Sequence, residues 1–148
     1  MRSMSHKHED SSHSHHHRHN LHRAHEVEKA KPEDSIFAKV VGGGVPVKVV
    51  FEDDLVMAFH DNNPQAPTHI LVIPKTPIGG PSDFQVGDLK QKELLGHLLQ
   101  VGAEVARKEG ICDHGYRMVM NEGKDGGQTV RWLHLHIIGG RPMTWPPG

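Results

Sequence analysis

Two histidines, His134 and His136, stand two residues apart near the C-terminus. The segment Thr129 to Ile138 around them reads as a strand, and a strand turns alternate side chains to opposite faces. Both imidazoles then share one surface with Val130, Trp132 and Ile138, while Arg131, Leu133, Leu135 and Ile137 face the other way. A neutral imidazole is a nucleophile near pH 7, and a second one beside it can supply a proton or positive charge as a transition state develops. Immediately upstream lies Asn121-Glu122-Gly123-Lys124-Asp125-Gly126-Gly127-Gln128, a turn-rich loop. Its glycines let backbone N–H groups approach an anion closely, and Asn121 and Thr129 add neutral donors. A phosphate suits the space between loop and imidazoles. The bland reading of His-x-His is polar strand surface. A zinc site usually needs a third or fourth protein ligand, and neither Cys112 nor an acidic residue has a spacing that points to the pair. The loop also lacks the Lys-Ser/Thr ending of a P-loop.

The elements that must position these residues are legible upstream. Ile36, Phe37, Val40 and Val41 recur at helical spacing after Pro32-Glu33-Asp34-Ser35, and Gly42-Gly43-Gly44 stops the helix. Val47 to Phe51, Leu55 to Phe59 and His69 to Ile73 are apolar runs separated by Glu52-Asp53-Asp54 and by the proline-containing turn Asn62 to Thr68, which predicts a three-stranded meander. From Asp88 to Lys108, Leu94, Leu95, Leu98, Val101 and Val105 form a stripe near the 3.6-residue period, with Gly110 as the stop. Tyr116 to Met120 and Thr129 to Ile138 complete the set. The order αβββαββ predicts an α+β domain, an antiparallel sheet with helices packed on one face.

Composition narrows the function. With 17 Lys+Arg against 18 Asp+Glu in 148 residues, the chain carries no cationic surplus of the kind that drives nucleic-acid binding, so nucleic acid is not expected as a partner. No apolar run approaches the ~20 residues needed to span a bilayer, and no membrane association is expected. The lone Cys112 forms no internal disulfide, which fits a reducing compartment. A cytoplasmic location is the expectation, with mitochondrial and nuclear addresses left open. Nine of the fifteen histidines fall between His6 and His25 among Ser, Arg and Lys, so residues 1–30 are expected to form a disordered tail, separate from a domain over residues 31–148. Adventitious binding of Zn, Cu or Ni by that tail is one reading. An expression-derived remnant or a solvating extension is the heavier one.

The segments FEDDLVMAFHDNNPQAPTHILVIPK, GYRMVMNEGKDGGQTV and LHLHIIGGRPMTWPPG resemble those of the histidine-triad (HIT) proteins, specifically the Hint branch of adenosine phosphoramidate hydrolases, also called protein kinase C inhibitor-like. The resemblance runs from about Ser35 to Gly148. It implies a HIT α+β fold of five antiparallel strands and two helices, and a homodimer whose sheets join into one of ten strands. It further implies purine nucleoside monophosphates or phosphoramidates as ligands, with no cofactor and no metal in the site.

Position by position, the resemblance makes His134 the nucleophile that attacks the α-phosphorus, displacing an amine and leaving a nucleotidyl-histidine that water hydrolyses. His136 would contact the phosphate oxygens, and His69 would orient the nucleophilic ring. Asn121, Gly127, Gln128 and Thr129 would line the phosphate site, and Asp61 and Asn62 would lie at the ribose. Ile36, Phe37, Val40 and Phe59 would form the slot for the base, with ordinary core as the bland alternative. Trp145, in the terminal Trp-Pro-Pro-Gly, would reach the partner subunit's site or serve as an interface anchor. Three positions depart from the family pattern. The triad runs His-φ-His-φ-His-φ-φ, and Trp132 occupies its first position; Thr144 stands where Hint proteins often carry His, and Asn62 replaces an apolar residue. The resulting expectation is a purine nucleotide phosphoramidase or nucleotidyl hydrolase. The alternative is a nucleotide-binding or scaffolding dimer in which Trp132 has attenuated catalysis.

Overall fold

The computed structural model describes residues 30–148. The expected tail falls almost wholly outside them. A single 3-10 turn at Pro32–Asp34 leads into helix α1, Ile36–Val41, whose first turn is capped by the Ser35 hydroxyl accepting from the Ala38 N–H at 3.3 Å. Strands β1 (Val49–Glu52), β2 (Val56–His60) and β3 (Thr68–Pro74) form the predicted meander. Helix α2, Leu89–Lys108, begins at Asp88, whose carboxylate accepts from the Gln91 N–H at 3.0 Å. It ends at Glu109, followed by Gly110 in the left-handed conformation that a helix terminus commonly requires. Strands β4 (Tyr116–Met120) and β5 (Leu135–Gly139) complete a five-stranded antiparallel sheet of order β1-β2-β3-β5-β4.

Each face of this sheet has its own apolar cluster, set by the alternation of side chains. Val56, Ala58, Ile70, Val72, Leu135 and Ile137 pack beneath Leu98, Val101 and Val105 of α2. The helix comes close because Gly102 sits over β5: a Cβ there would lie 2.8 Å from Ile137 Cδ1. On the opposite face, Met57, Phe59, Leu71, Ile73 and Trp132 pack against Phe37 and Val40 of α1. The two helices therefore cover opposite faces of the sheet rather than one, as the sequence pattern suggested. Helix α1, only six residues long, leaves part of its face uncovered.

The last strand also starts later than its apolar pattern predicts. Regular pairing begins with Leu135 opposite Val72, not at Thr129. Upstream of Leu135 the chain is held by other bonds: the Trp132 N–H donates to Val130 O at 2.8 Å, and the Leu133 N–H to Ile78 O at 2.6 Å. Where the ladder would have continued, the Trp132 indole N–H donates to the carbonyl of Pro74, the last residue of β3, at 2.9 Å. A side chain thus supplies the hydrogen bond that the departing backbone cannot. The in-and-out alternation survives: Leu133, Leu135 and Ile137 belong to the α2 face, and Trp132 lies on the α1 face.

Candidate functional site

The uncovered part of the α1 face is a cleft of about 1090 Å³. Its apolar wall comes from α1 and β2, through Ile36, Phe37, Val40 and Phe59, joined by Val47 and Leu71. Phe37 stands edge-on to both Phe59 and His134, with ring centroids 5.8 and 5.2 Å away. The opposite wall is polar. Asn121, Gly127 and Thr129 line it from the glycine-rich loop, and Asp61 and Asn62 from the turn after β2. His69, His134 and His136 lie between the walls.

The loop acquires its shape from Gln128, which the resemblance places at the phosphate. Its side chain is not part of the cleft wall. It is 1% exposed, and its amide donates to Gly79 O at 2.7 Å and Val130 O at 3.0 Å while its carbonyl accepts from the Gly123 N–H and from Arg131. All its polar atoms are committed, so it acts as a staple beneath the loop. Gly127, with φ of 76°, supplies the left-handed turn above it. Trp145 lies apart from its own chain's cleft: it is 81% exposed and stacks with the Arg117 guanidinium 5.9 Å from its ring centroid.

Hydrogen-bond partners assign the protons on the three imidazoles. His134 Nδ1 lies 2.6 Å from the Trp132 carbonyl, which can only accept, so Nδ1 carries the hydrogen and Nε2 keeps a lone pair. The backbone N–H of Gln65 donates to His69 Nδ1 at 3.0 Å, so the hydrogen of a neutral His69 is on Nε2. That atom is 2.9 Å from His136 Nδ1 and 3.4 Å from Asp61 Oδ2. His136 Nδ1 therefore accepts, and its hydrogen is on Nε2, a buried atom with no protein partner. A backbone carbonyl and a backbone N–H thus impose opposite chemistry on neighbouring rings whose centroids are 4.9 Å apart. His134 offers a lone pair. His136 offers a proton.

Electrostatics keep both rings neutral. Burial pushes His134 below its ordinary value, against an opposing pull from the Trp132 carbonyl. Burial, with help from the two neighbouring imidazoles, brings His136 down to about 4. His69 is also lowered by burial, opposed by Asp61. Near pH 7 the lone pair on His134 Nε2 is free without any proton having to be removed.

Asp61, His69 and His136 bring ligand atoms within 4.8 Å of one another, close enough to suggest a metal site. The donor chemistry disfavours it. A metal at His69 Nε2 needs the lone pair there, which would move the ring hydrogen to Nδ1, directly against the Gln65 N–H. In the present arrangement these three residues form a chain of hydrogen bonds.

A family model described as "HIT domain" matches residues 43–143. The chain belongs to the HIT family. Protein pkiA of Dictyostelium discoideum is 50% identical over 118 residues, covering 79% of this chain and 91% of that protein. A 14 kDa zinc-binding protein of Zea mays is 48% identical over 114 residues, covering 77% and 88%. Among solved structures, a HIT family hydrolase from Legionella pneumophila Philadelphia 1 superposes with a TM-score of 0.73 at 46% identity, covering 78% of this chain and all of that one. The five antiparallel strands and two helices are those of the HIT fold. The sequence reading did not find Gln65, whose contribution is a main-chain N–H. No side-chain pattern signals such a role.

Proposed function

We propose that this HIT protein is a hydrolase of purine nucleoside 5′-phosphoramidates and related nucleotidyl compounds, working through a covalent nucleotidyl intermediate on His134. One observation carries this reading: a lone pair on His134 Nε2 and an unpartnered proton on the buried His136 Nε2, carried by two residues that line one cleft with an apolar wall and a glycine-rich loop. The base enters the slot of Phe37, Val40 and Phe59, the ribose hydroxyls meet Asp61, and the α-phosphate meets the loop. His134 Nε2 forms a bond to phosphorus as the P–N bond breaks, the leaving nitrogen takes a proton from solvent water, and His136 Nε2–H donates a hydrogen bond to the phosphoryl oxygens as their charge develops. The hydroxide left by that proton transfer is balanced by the positive charge that the phosphorylated His134 ring then carries. In the second step hydroxide adds its oxygen to phosphorus, and His134 leaves with its electron pair. The sum is phosphoramidate and water giving amine and nucleoside monophosphate.

Trp132 fits turnover because its carbonyl, not its side chain, holds His134. An attenuated binder predicts instead that ligand binds without reaction. The proposed homodimer would extend the sheet across edge strand β4, which has one neighbour in the described chain. The test is incubation with adenosine 5′-phosphoramidate, quenching, and mass spectrometry of the peptide bearing His134. A mass increase of one AMP on that histidine in wild type, absent in His134→Ala, is expected together with AMP release. Saturable AMP binding without adduct or release would overturn the reading in favour of a binder.

A further inference from the structure

The turn Gly139-Gly140-Arg141 after β5 packs on the loop between β2 and β3, the loop that carries Gln65. Thr68 pairs with Gly139, and Gly140, at φ of 92°, comes so near Pro67 that a Cβ on it would lie 2.9 Å from Pro67 Cβ. This approach delivers Arg141: its Nε–H donates to the Gln65 carbonyl at 3.0 Å, and its Nη1 to Pro142 O at 3.1 Å. Within the loop, the Gln65 side-chain amide donates to Asn63 O at 3.0 Å, and the Asn63 N–H donates to Asp61 Oδ1 at 2.8 Å. Arg141 is exposed and takes no part in the cleft wall.

We propose that Arg141 is a positioning residue: by fastening the Gln65 backbone it keeps the N–H that fixes His69 as its Nε2–H tautomer, and so makes His136 present a proton to the cleft. This rests on the reading of His136 as the group whose Nε2–H donates to the phosphoryl oxygens. The two tautomers of an imidazole are close in energy, so one hydrogen bond at Nδ1 suffices to choose between them. If the loop slackens, His69 Nδ1 is free to hold the hydrogen and Nε2 becomes an acceptor. His136 Nδ1 must then donate to it, which turns the His136 Nε2 lone pair toward the cleft. Two lone pairs would face the phosphoryl group, with no hydrogen-bond donor for the charge that develops on its oxygens. The second-layer contact thus selects function without touching substrate.

The experiment uses full-length wild type, Arg141→Ala and Arg141→Lys, with ¹⁵N-labelled histidine and long-range proton–nitrogen correlation spectra, alongside hydrolysis of adenosine 5′-phosphoramidate. In wild type, His69 and His136 are expected as pure Nε2–H tautomers. In Arg141→Ala, His69 is expected to shift toward Nδ1–H, and kcat to fall about threefold to tenfold with KM within about twofold, as for other graded positioning defects. Arg141→Lys, which keeps a cationic donor for the Gln65 carbonyl, is expected to recover most of both. His97, on α2, reports the fold and should not move. A His69 that stays Nε2–H in Arg141→Ala, a wild-type His69 already Nδ1–H, or a raised KM with kcat unchanged would overturn the proposal. Should wild type fail to cleave the phosphoramidate, the functional reading falls, while the nitrogen spectra still decide whether Arg141 sets the tautomer.

Discussion

The two faces of the sheet are made by the same strands, yet they solve opposite problems. On the α2 face, Ile70, Val72, Leu98, Val105 and Ile137 are fully buried, and the cluster contains only apolar side chains. On the α1 face, His69 and His134 are 4% and 5% exposed among Phe37, Phe59, Leu71 and Trp132. Buried imidazoles cost free energy unless their hydrogen bonds are made, and here four of the six ring nitrogens of His69, His134 and His136 have a partner among the described residues. The two exceptions, His134 Nε2 and His136 Nε2, are where a substrate would complete the set. A short helix over one face leaves room for a ligand. A long helix over the other supplies the stability that lets the first face remain incomplete.

The sharpest way to break this comparison is to remove the hydrogen-bond donor. His136→Ala is expected to lower kcat by roughly 10²–10³-fold, the range for loss of one donor to a developing oxyanion, while thermal stability is unchanged or raised. Single-turnover kinetics with adenosine 5′-phosphoramidate, paired with calorimetry, measures both. An equal loss of stability would erase the division of labour between faces. The converse substitution, Leu98→Ala on the α2 face, is expected to cost about 2–5 kcal/mol in denaturant unfolding and to leave KM untouched.

Acid should act almost wholly through the cleft face. The three imidazoles are held below their ordinary value, so the unfolded chain binds more protons than the native one as pH drops below about 6.5. Stability is therefore complete above that pH and declines toward about 4, by on the order of 3 kcal/mol for His136 alone. Chemical denaturation between pH 8 and 4 would show a decline that is much reduced in a His69→Gln, His136→Gln double variant. The acid limb of kcat/KM should likewise fall below pH 6.5, because the free enzyme's nucleophile stays neutral there.

Trp132→Phe tests a boundary between the faces. It removes the indole bond to the Pro74 carbonyl but keeps the main-chain carbonyl that orients His134, so a stability loss of about 1–3 kcal/mol is expected. The kcat should change less than about tenfold, a graded positioning effect. Smallest of all, His97→Ala cuts the 2.6 Å contact with Asp53, a half-exposed pair joining α2 to the β1–β2 turn. It should cost within about 1 kcal/mol and leave turnover unaltered.

Much of this is legible in the sequence. Five strands and both helices follow from apolar periods of two and 3.6, because burial of one face is a local, repeating demand. Ser35, Asp88 and Gly110 mark helix ends because capping is local too. Residues His134, His136, Asn121 and Thr129 share the cleft that their spacing suggested. The start of β5 was missed because the apolar run continues to Val130 while the partner strand ends at Pro74, and pairing depends on both strands.

The sequence by itself determined which residues face which side and which types of group stand ready for phosphoryl chemistry, since alternation and composition are properties of the chain alone. Tertiary structure decided that the helices take opposite faces, that Gln128 goes under the loop instead of into the cleft, and which nitrogen of each imidazole bears the hydrogen. Those outcomes depend on main-chain groups such as Gln65 N–H and Trp132 C=O, which are identical in nearly every residue and become distinctive only when folding sets one against a particular side chain.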